Sequence, residues 1–182
     1  MKNPNSRRGF VFMHYHFAVV DLFSFRSAAC FVEVVCSVVD VVAAGHAAVA
    51  VVVVAAGLGT RLGADKPKAF VTLAEKTLIE HALENVAEVP ALEQVIVAVP
   101  AGHEAQTVEI IELALAGKNV RFDVVVGGQT RQQSIANALG VIDPEIEVVL
   151  VHDAARALAP ASLFTRVASE VRRTGLGVVP VM

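Results

Sequence analysis

Only two cysteines occur in the 182 residues, Cys30 and Cys36, both in the first third and in no metal-ligand pattern. That argues against a disulfide framework and makes a reducing, cytoplasmic compartment the expectation. Positive charge is scarce as well: the net charge is −3, with four Lys/Arg against three Asp/Glu in residues 1–48 (net +1), which leaves −4 for the remainder. Such a balance leaves no nucleic-acid footprint. Internal repeats, low-complexity tracts and long linkers are absent, and the length suits one ordinary domain with a sizeable core.

Uninterrupted apolar runs long enough to cross a bilayer are also lacking. Residues 1–48 begin with a basic stretch and then Phe10 to Val20, like the first two regions of a signal peptide, but Asp21, Arg26, Glu33 and Asp40 interrupt the remainder. The uncharged window Val41 to Thr60 has the length to span, yet contains His46 and ends in a glycine loop. A membrane partner is therefore not expected. Residues 1–48 are read as a hydrophobic extension of uncertain structure, and His14, His16 and His46 carry no ligand spacing.

Punctuation, by contrast, is plentiful. Val51 to Val54 have the continuous apolar character of a strand covered on both faces. The loop after them, AAGLGTRLGADKPKAF, holds Gly57, Gly59 and Gly63 with Arg61, Lys66 and Lys68. Bare backbone amides and cations in one loop suit a phosphate. A dinucleotide fingerprint would need Gly at Leu62, and the Gly-x-x-x-x-Gly-Lys spacing of a P-loop cannot be laid over these residues.

Thr77 with Glu80, ahead of Leu78, Ile79, Ala82, Leu83 and Val86, predicts a capped helix. Strands are predicted over 94–99, 120–126, 147–151 and 176–181, and helices over 103–116, 130–140 and from Pro160 to Arg173, with Thr130 and Gln133 as a second capping box. Alternating strands and helices predict a three-layer, mostly parallel Rossmann-like sheet, with residues 49–182 as one α/β unit.

Such a sheet collects its strand-to-helix loops on one edge. Besides the glycine loop, these are GGQTRQQS, residues 127–134, with Gly128, Arg131 and Ser134 about a helix start, and HDAAR, residues 152–156, with Asp153 directly after an apolar strand. Helix N-termini favour anions or the polar edges of a base, and a carboxylate in that place suits Mg2+. Taken singly, a cationic surface loop, a tight turn and a capping aspartate are plainer readings. Together the three describe a nucleoside triphosphate and its metal.

AAGLGTRLGADKPKAF, GGQTRQQSIANAL and VHDAAR, in this order and separation, resemble the 2-C-methyl-D-erythritol 4-phosphate cytidylyltransferase family of non-mevalonate isoprenoid synthesis, over roughly residues 49–182. The resemblance implies a nucleotidyltransferase-type fold and transfer of CMP from CTP to methylerythritol phosphate, with release of pyrophosphate. Carried onto this chain, it implies that Ala55, Ala56, Gly57, Gly59, Gly128 and Ser134 hold the nucleotide, and that Arg61 and Lys68 are catalytic. Asp153 would engage Mg2+, Arg131 would support the nucleotide-binding turn, and Arg156 would lie near the acceptor. A ribitol 5-phosphate or sugar-phosphate nucleotidyltransferase, a non-catalytic nucleotide-binding module and a membrane-tethered protein are the alternatives.

The pattern departs from that family at Ala157, where proline is usual, and at Ala69, where glutamine commonly comes after the Pro-Lys pair. Beyond GVVPVM the family continues with an Asp-Thr turn, a projecting β-arm that builds a homodimer and much of the acceptor pocket, and a closing helix. The expectation is thus a truncated or mis-delimited chain, incomplete at the C-terminus, that binds CTP weakly and is inactive alone.

Overall fold

A computed structural model describes residues 16–20, 48–57, 59 and 66–180; of residues 16–20 it describes the backbone only. Five strands form one parallel sheet in the order β1-β7-β2-β5-β6: β1 (His16–Val20), β2 (Val49–Val54), β5 (Leu92–Val99), β6 (Arg121–Val126) and β7 (Val148–Asp153). Two two-residue strands, β3 (Thr72–Leu73) and β4 (Lys76–Thr77), make a separate antiparallel hairpin. Its turn residues Ala74 and Glu75 have φ of 48° and 73°, and both of those angles match the left-handed turns that join tight hairpins.

The central strand explains its own composition. Val49, Val51 and Val53 pack on one face with helices α1 (Leu78–Val86), α2 (Glu104–Ala114) and α4 (Ala161–Thr174), while Ala50 and Val52 pack on the other with α3 (Arg131–Leu139). A strand covered on both faces needs apolar residues at every position, and each wholly buried valine contributes roughly 1.5–3 kcal/mol. Part of the uncharged window 41–60 is accordingly the middle of a sheet. Among the described residues no helix is long and apolar enough to cross a membrane.

Helix α1 starts as expected. Thr77 N donates to Glu80 Oε2 at 2.5 Å and the Thr77 hydroxyl oxygen accepts from Glu80 N at 3.4 Å, while the Thr77 hydroxyl and amide hold the Glu80 carboxyl below its ordinary range. At α3 only half of the expected box forms. Thr130 Oγ1 accepts from Gln133 N, but Gln133 Oε1 accepts from Gln129 N instead of reaching back to the cap. Pro160 serves as the N-cap of α4, just outside the helix.

The strand expected over 176–181 is not formed: residues 176–180 leave the left-handed Gly175 as irregular chain, and residues 181–182 lie outside the described residues. Topology supplies the reason. Because α4 lies on the same face as α1 and α2, a right-handed crossover from β7 leads toward the position β2 already fills, and left-handed ones are rare. The outer edge of β7 is taken by β1, whose His16 to Val20 pair in parallel with Val148 to His152.

Chain order places the site. From β2 the chain runs outward through β5 to β6, then returns across the sheet to β7 on the other side of β2. The carboxyl ends of β2 and β7 flank this switch point, where open α/β sheets leave a crevice for ligands.

Candidate nucleotide site

Three loops meet there. Beyond β2, Ala55 N donates to Ala98 O at 2.8 Å, which extends the sheet pairing by one residue before the chain turns away. Lys68 N donates to Gly57 O at 3.2 Å and pinches the glycine loop at its base. Gly59 has φ +66° and lies so close to Lys68 that a Cβ there would be 2.8 Å from the lysine Cβ. A side chain at 59 would be both strained and blocked. Among the described residues the amides of Ala56 and Gly57 meet no acceptor. Arg61 and Gly63 lie outside the described residues.

Lys68 opens a short 3-10 turn, Lys68–Phe70, anchored by buried Phe70. The Phe70 ring stacks on His103 with centroids 4.6 Å apart. Because His103 caps α2 at the end of the β5 loop, a fourth loop of the same edge steadies the lysine's turn. Nothing in the sequence pattern signals that stack.

The second loop is closed on itself. Gly127 N donates to Val99 O at 2.7 Å, and a Cβ on Gly127 would sit 2.2 Å from the Ala56 Cβ. Gly127 is thus the joint between the first two loops; the glycine doublet was its only sequence signal. A Cβ on Gly128 would meet Gln133 at 2.3 Å. The Ser134 hydroxyl accepts from Gly128 N and donates to Thr130 O, each at 3.0 Å, so this buried side chain braces the turn that carries Gly128. A hollow of about 570 Å³ lies beside the loop, lined by Val126, Gly127, Gly128, Gln129, Gln133 and Asn137.

In the third loop Asp153 is the last residue of β7 and pairs with Val54 of β2. Ala154 N donates to Val54 O at 3.1 Å, and Asn85 of α1 donates to Ala157 O at 3.1 Å, fixing the turn. Arg131 Nε approaches Asp153 Oδ1 at 3.1 Å and Arg156 Nε approaches Oδ2 at 3.7 Å. The preceding His152 faces the opposite layer, wholly buried and edge-on to Phe164. Neither ring nitrogen finds a partner among the described residues. Burial, helped by the Arg156 charge, pushes its pKa down to about 4.

Of the predicted site residues, Ala55, Ala56, Gly57, Gly59, Lys68, Gly128, Arg131, Ser134, Asp153 and Arg156 all lie on this edge. No group of three or more His, Cys, Asp or Glu side chains gathers among the described residues. One carboxylate at a strand end still fits Mg2+, which draws most of its ligands from phosphate and water.

The profile of one family, IspD, 2-C-methyl-D-erythritol 4-phosphate cytidylyltransferase, matches residues 49–182. The bifunctional enzyme IspD/IspF of Clavibacter michiganensis is 45% identical over 130 residues, 71% of this chain and 32% of that protein. The 2-C-methyl-D-erythritol 4-phosphate cytidylyltransferase of Rhodococcus opacus is 42% identical over 140 residues, 77% of this chain and 58% of that protein. The chain therefore spans about half the length of such relatives, or less. Among solved structures, 4-diphosphocytidyl-2C-methyl-D-erythritol synthase from Anaerococcus prevotii shares the fold, with TM-score 0.58 and 23% identity over 70% of this chain and 52% of that one. The bifunctional IspDF of Campylobacter jejuni gives TM-score 0.55 and 27% identity, covering 70% and 31%.

Proposed function

The chain belongs to the 2-C-methyl-D-erythritol 4-phosphate cytidylyltransferase family, and from that premise we propose that it binds CTP on this edge and transfers CMP to methylerythritol phosphate, releasing pyrophosphate. The observation that supports the reading best is the joint between Gly127 and Ala56. It brings the turn that carries Gly128 against the glycine loop after β2, on the edge where β7 ends at Asp153.

The chemistry asks for placement more than for proton transfer. The acceptor phosphate is already an anion able to attack the α-phosphorus, so alignment and neutralisation of the growing negative charge supply most of the acceleration. Ala56 and Gly57, whose amides meet no acceptor among the described residues, would present them to the triphosphate. Gly128, held by Ser134, would present backbone groups to the cytosine edge. Lys68, together with Arg61, would stabilise the crowded α-phosphate, and Arg156 would stand on the acceptor side. Asp153 would hold Mg2+, which when bound neutralises phosphate charge.

Calorimetry with Mg2+ and each of CTP, UTP, ATP and GTP tests the nucleotide half. CTP is expected to bind tightest; purine triphosphates binding equally well would overturn the reading. Pyrophosphate release on adding the acceptor separates transfer from binding alone, and measurable release by this chain would overturn the expectation that it is inactive alone. Lys68→Ala is expected to lower that release a hundredfold or more, a loss of about 3 kcal/mol by analogy with deleting one transition-state donor. Undiminished turnover would remove the lysine from its role.

A further inference from the structure

Asp153 is clamped from two sides. Each carboxylate oxygen faces its own guanidinium, Arg131 at Oδ1 and Arg156 at Oδ2. The first turn of α3, where Arg131 is the opening residue, adds the positive end of a helix dipole. Arg131 and Asp153 are 38% and 23% exposed, and an ion pair this open to water adds little to stability. Its position matters more than its energy, because it covers the oxygen that a metal ion would approach.

We propose that Arg131 is a resident counter-ion that keeps divalent metal off Asp153 until a polyphosphate arrives. The inference rests on the assignment of Mg2+ to Asp153 above. A bare divalent cation at Oδ1 would face the Arg131 guanidinium, 3.1 Å from that oxygen, and a helix N-terminus, which is repulsion at short range. A triphosphate changes the balance. It brings several negative charges, takes the Arg131 fork onto its oxygens, and delivers the ion with its own ligands. Metal binding thereby becomes conditional on nucleotide, so free ion does not occupy the carboxylate ahead of the substrate.

Free Mn2+ measured by electron paramagnetic resonance reads this directly on the intact chain, without turnover. In the absence of nucleotide the wild type is expected to bind Mn2+ weakly, Arg131→Gln at least tenfold more tightly, and Arg131→Lys as weakly as wild type, because a charge in that place is what excludes the ion. With an α,β-methylene CTP analogue the wild type is expected to gain affinity and Arg131→Gln to gain much less. Adding Asp153→Asn should erase the tightening in the Arg131→Gln background.

Equal Mn2+ affinity for wild type and Arg131→Gln without nucleotide overturns the proposal, and so does an Arg131→Lys variant that tightens like Arg131→Gln. If instead Asp153→Asn leaves analogue-dependent Mn2+ binding of the wild type unchanged, the metal assignment itself fails, and the counter-ion role with it.

Discussion

Two polar clusters sit at opposite ends of the same sheet, under hollows of similar size. At the amino end, about 490 Å³ of space lies over Gln94, Arg121, Asp123 and Asp143. At the carboxyl end, about 570 Å³ lies beside the Gly127 turn. Volume does not tell them apart; pairing does. Gln94 donates to Asp123 Oδ2 and Val141 O and accepts from Asp143 N, at 2.8, 3.0 and 2.9 Å, while Arg121 pairs with Asp143. Every one of these groups is spent on its neighbours. The carboxyl end has donors without acceptors, among the described residues, at Ala56 and Gly57, and a carboxylate shared between two arginines. A cluster that closes on itself holds a fold together, whereas one with unspent donors has chemistry still to do.

His152 gives the sharpest contrast, since it is buried at the carboxyl end with both ring nitrogens unpaired among the described residues. Its folded pKa of about 4 lies below the ordinary 6.5. The unfolded chain therefore takes up the proton first, and stability present above pH 6.5 is lost as pH falls toward 4. The shift corresponds to about 3 kcal/mol. Denaturant unfolding at several pH values should show this acid limb in the wild type and a flatter one in His152→Leu; parallel profiles would mean the histidine finds a partner.

Gly127→Ala breaks the joint between the two site loops. The added methyl would begin 2.2 Å from the Ala56 Cβ, and forced displacement of this kind costs about 1–3 kcal/mol. CTP affinity measured by calorimetry is expected to fall at least tenfold, with a lower melting temperature. Unchanged affinity would show that the nucleotide does not need the loops in contact.

The contrast also separates what a sequence can and cannot reveal. Strands β2, β5, β6 and β7 and all four helices lie within or beside their predicted ranges, because valine runs, capping residues and helical spacing are local signals. The hairpin β3–β4 is too short for any period to show, and β1 is one apolar run among several in residues 1–48. The missing strand over 176–181 depends on which face α4 covers, a tertiary fact that no local pattern carries. At the site, the glycines and Asp153 are legible as loop chemistry. That Ser134 turns inward and that Arg131 reaches Asp153, 22 residues away, belongs to the folded arrangement alone.

Gln94→Leu is the converse test, and the smallest effect. The side chain is buried and its amide serves three partners from two other segments. Leucine keeps most of the volume but leaves Val141 O and Asp143 N without their partner. Some of that loss is recovered where Asp143 reaches solvent, so the expected cost is about 1–2 kcal/mol, read as a shift in denaturant midpoint. Affinity for CTP should stay at the wild-type value, because this cluster and the proposed nucleotide edge lie at opposite ends of the sheet. A variant that lost stability and CTP binding together would show that the amino-end network sets the spacing of β5 and β6 all the way to Gly127, and the division between the two ends would fall.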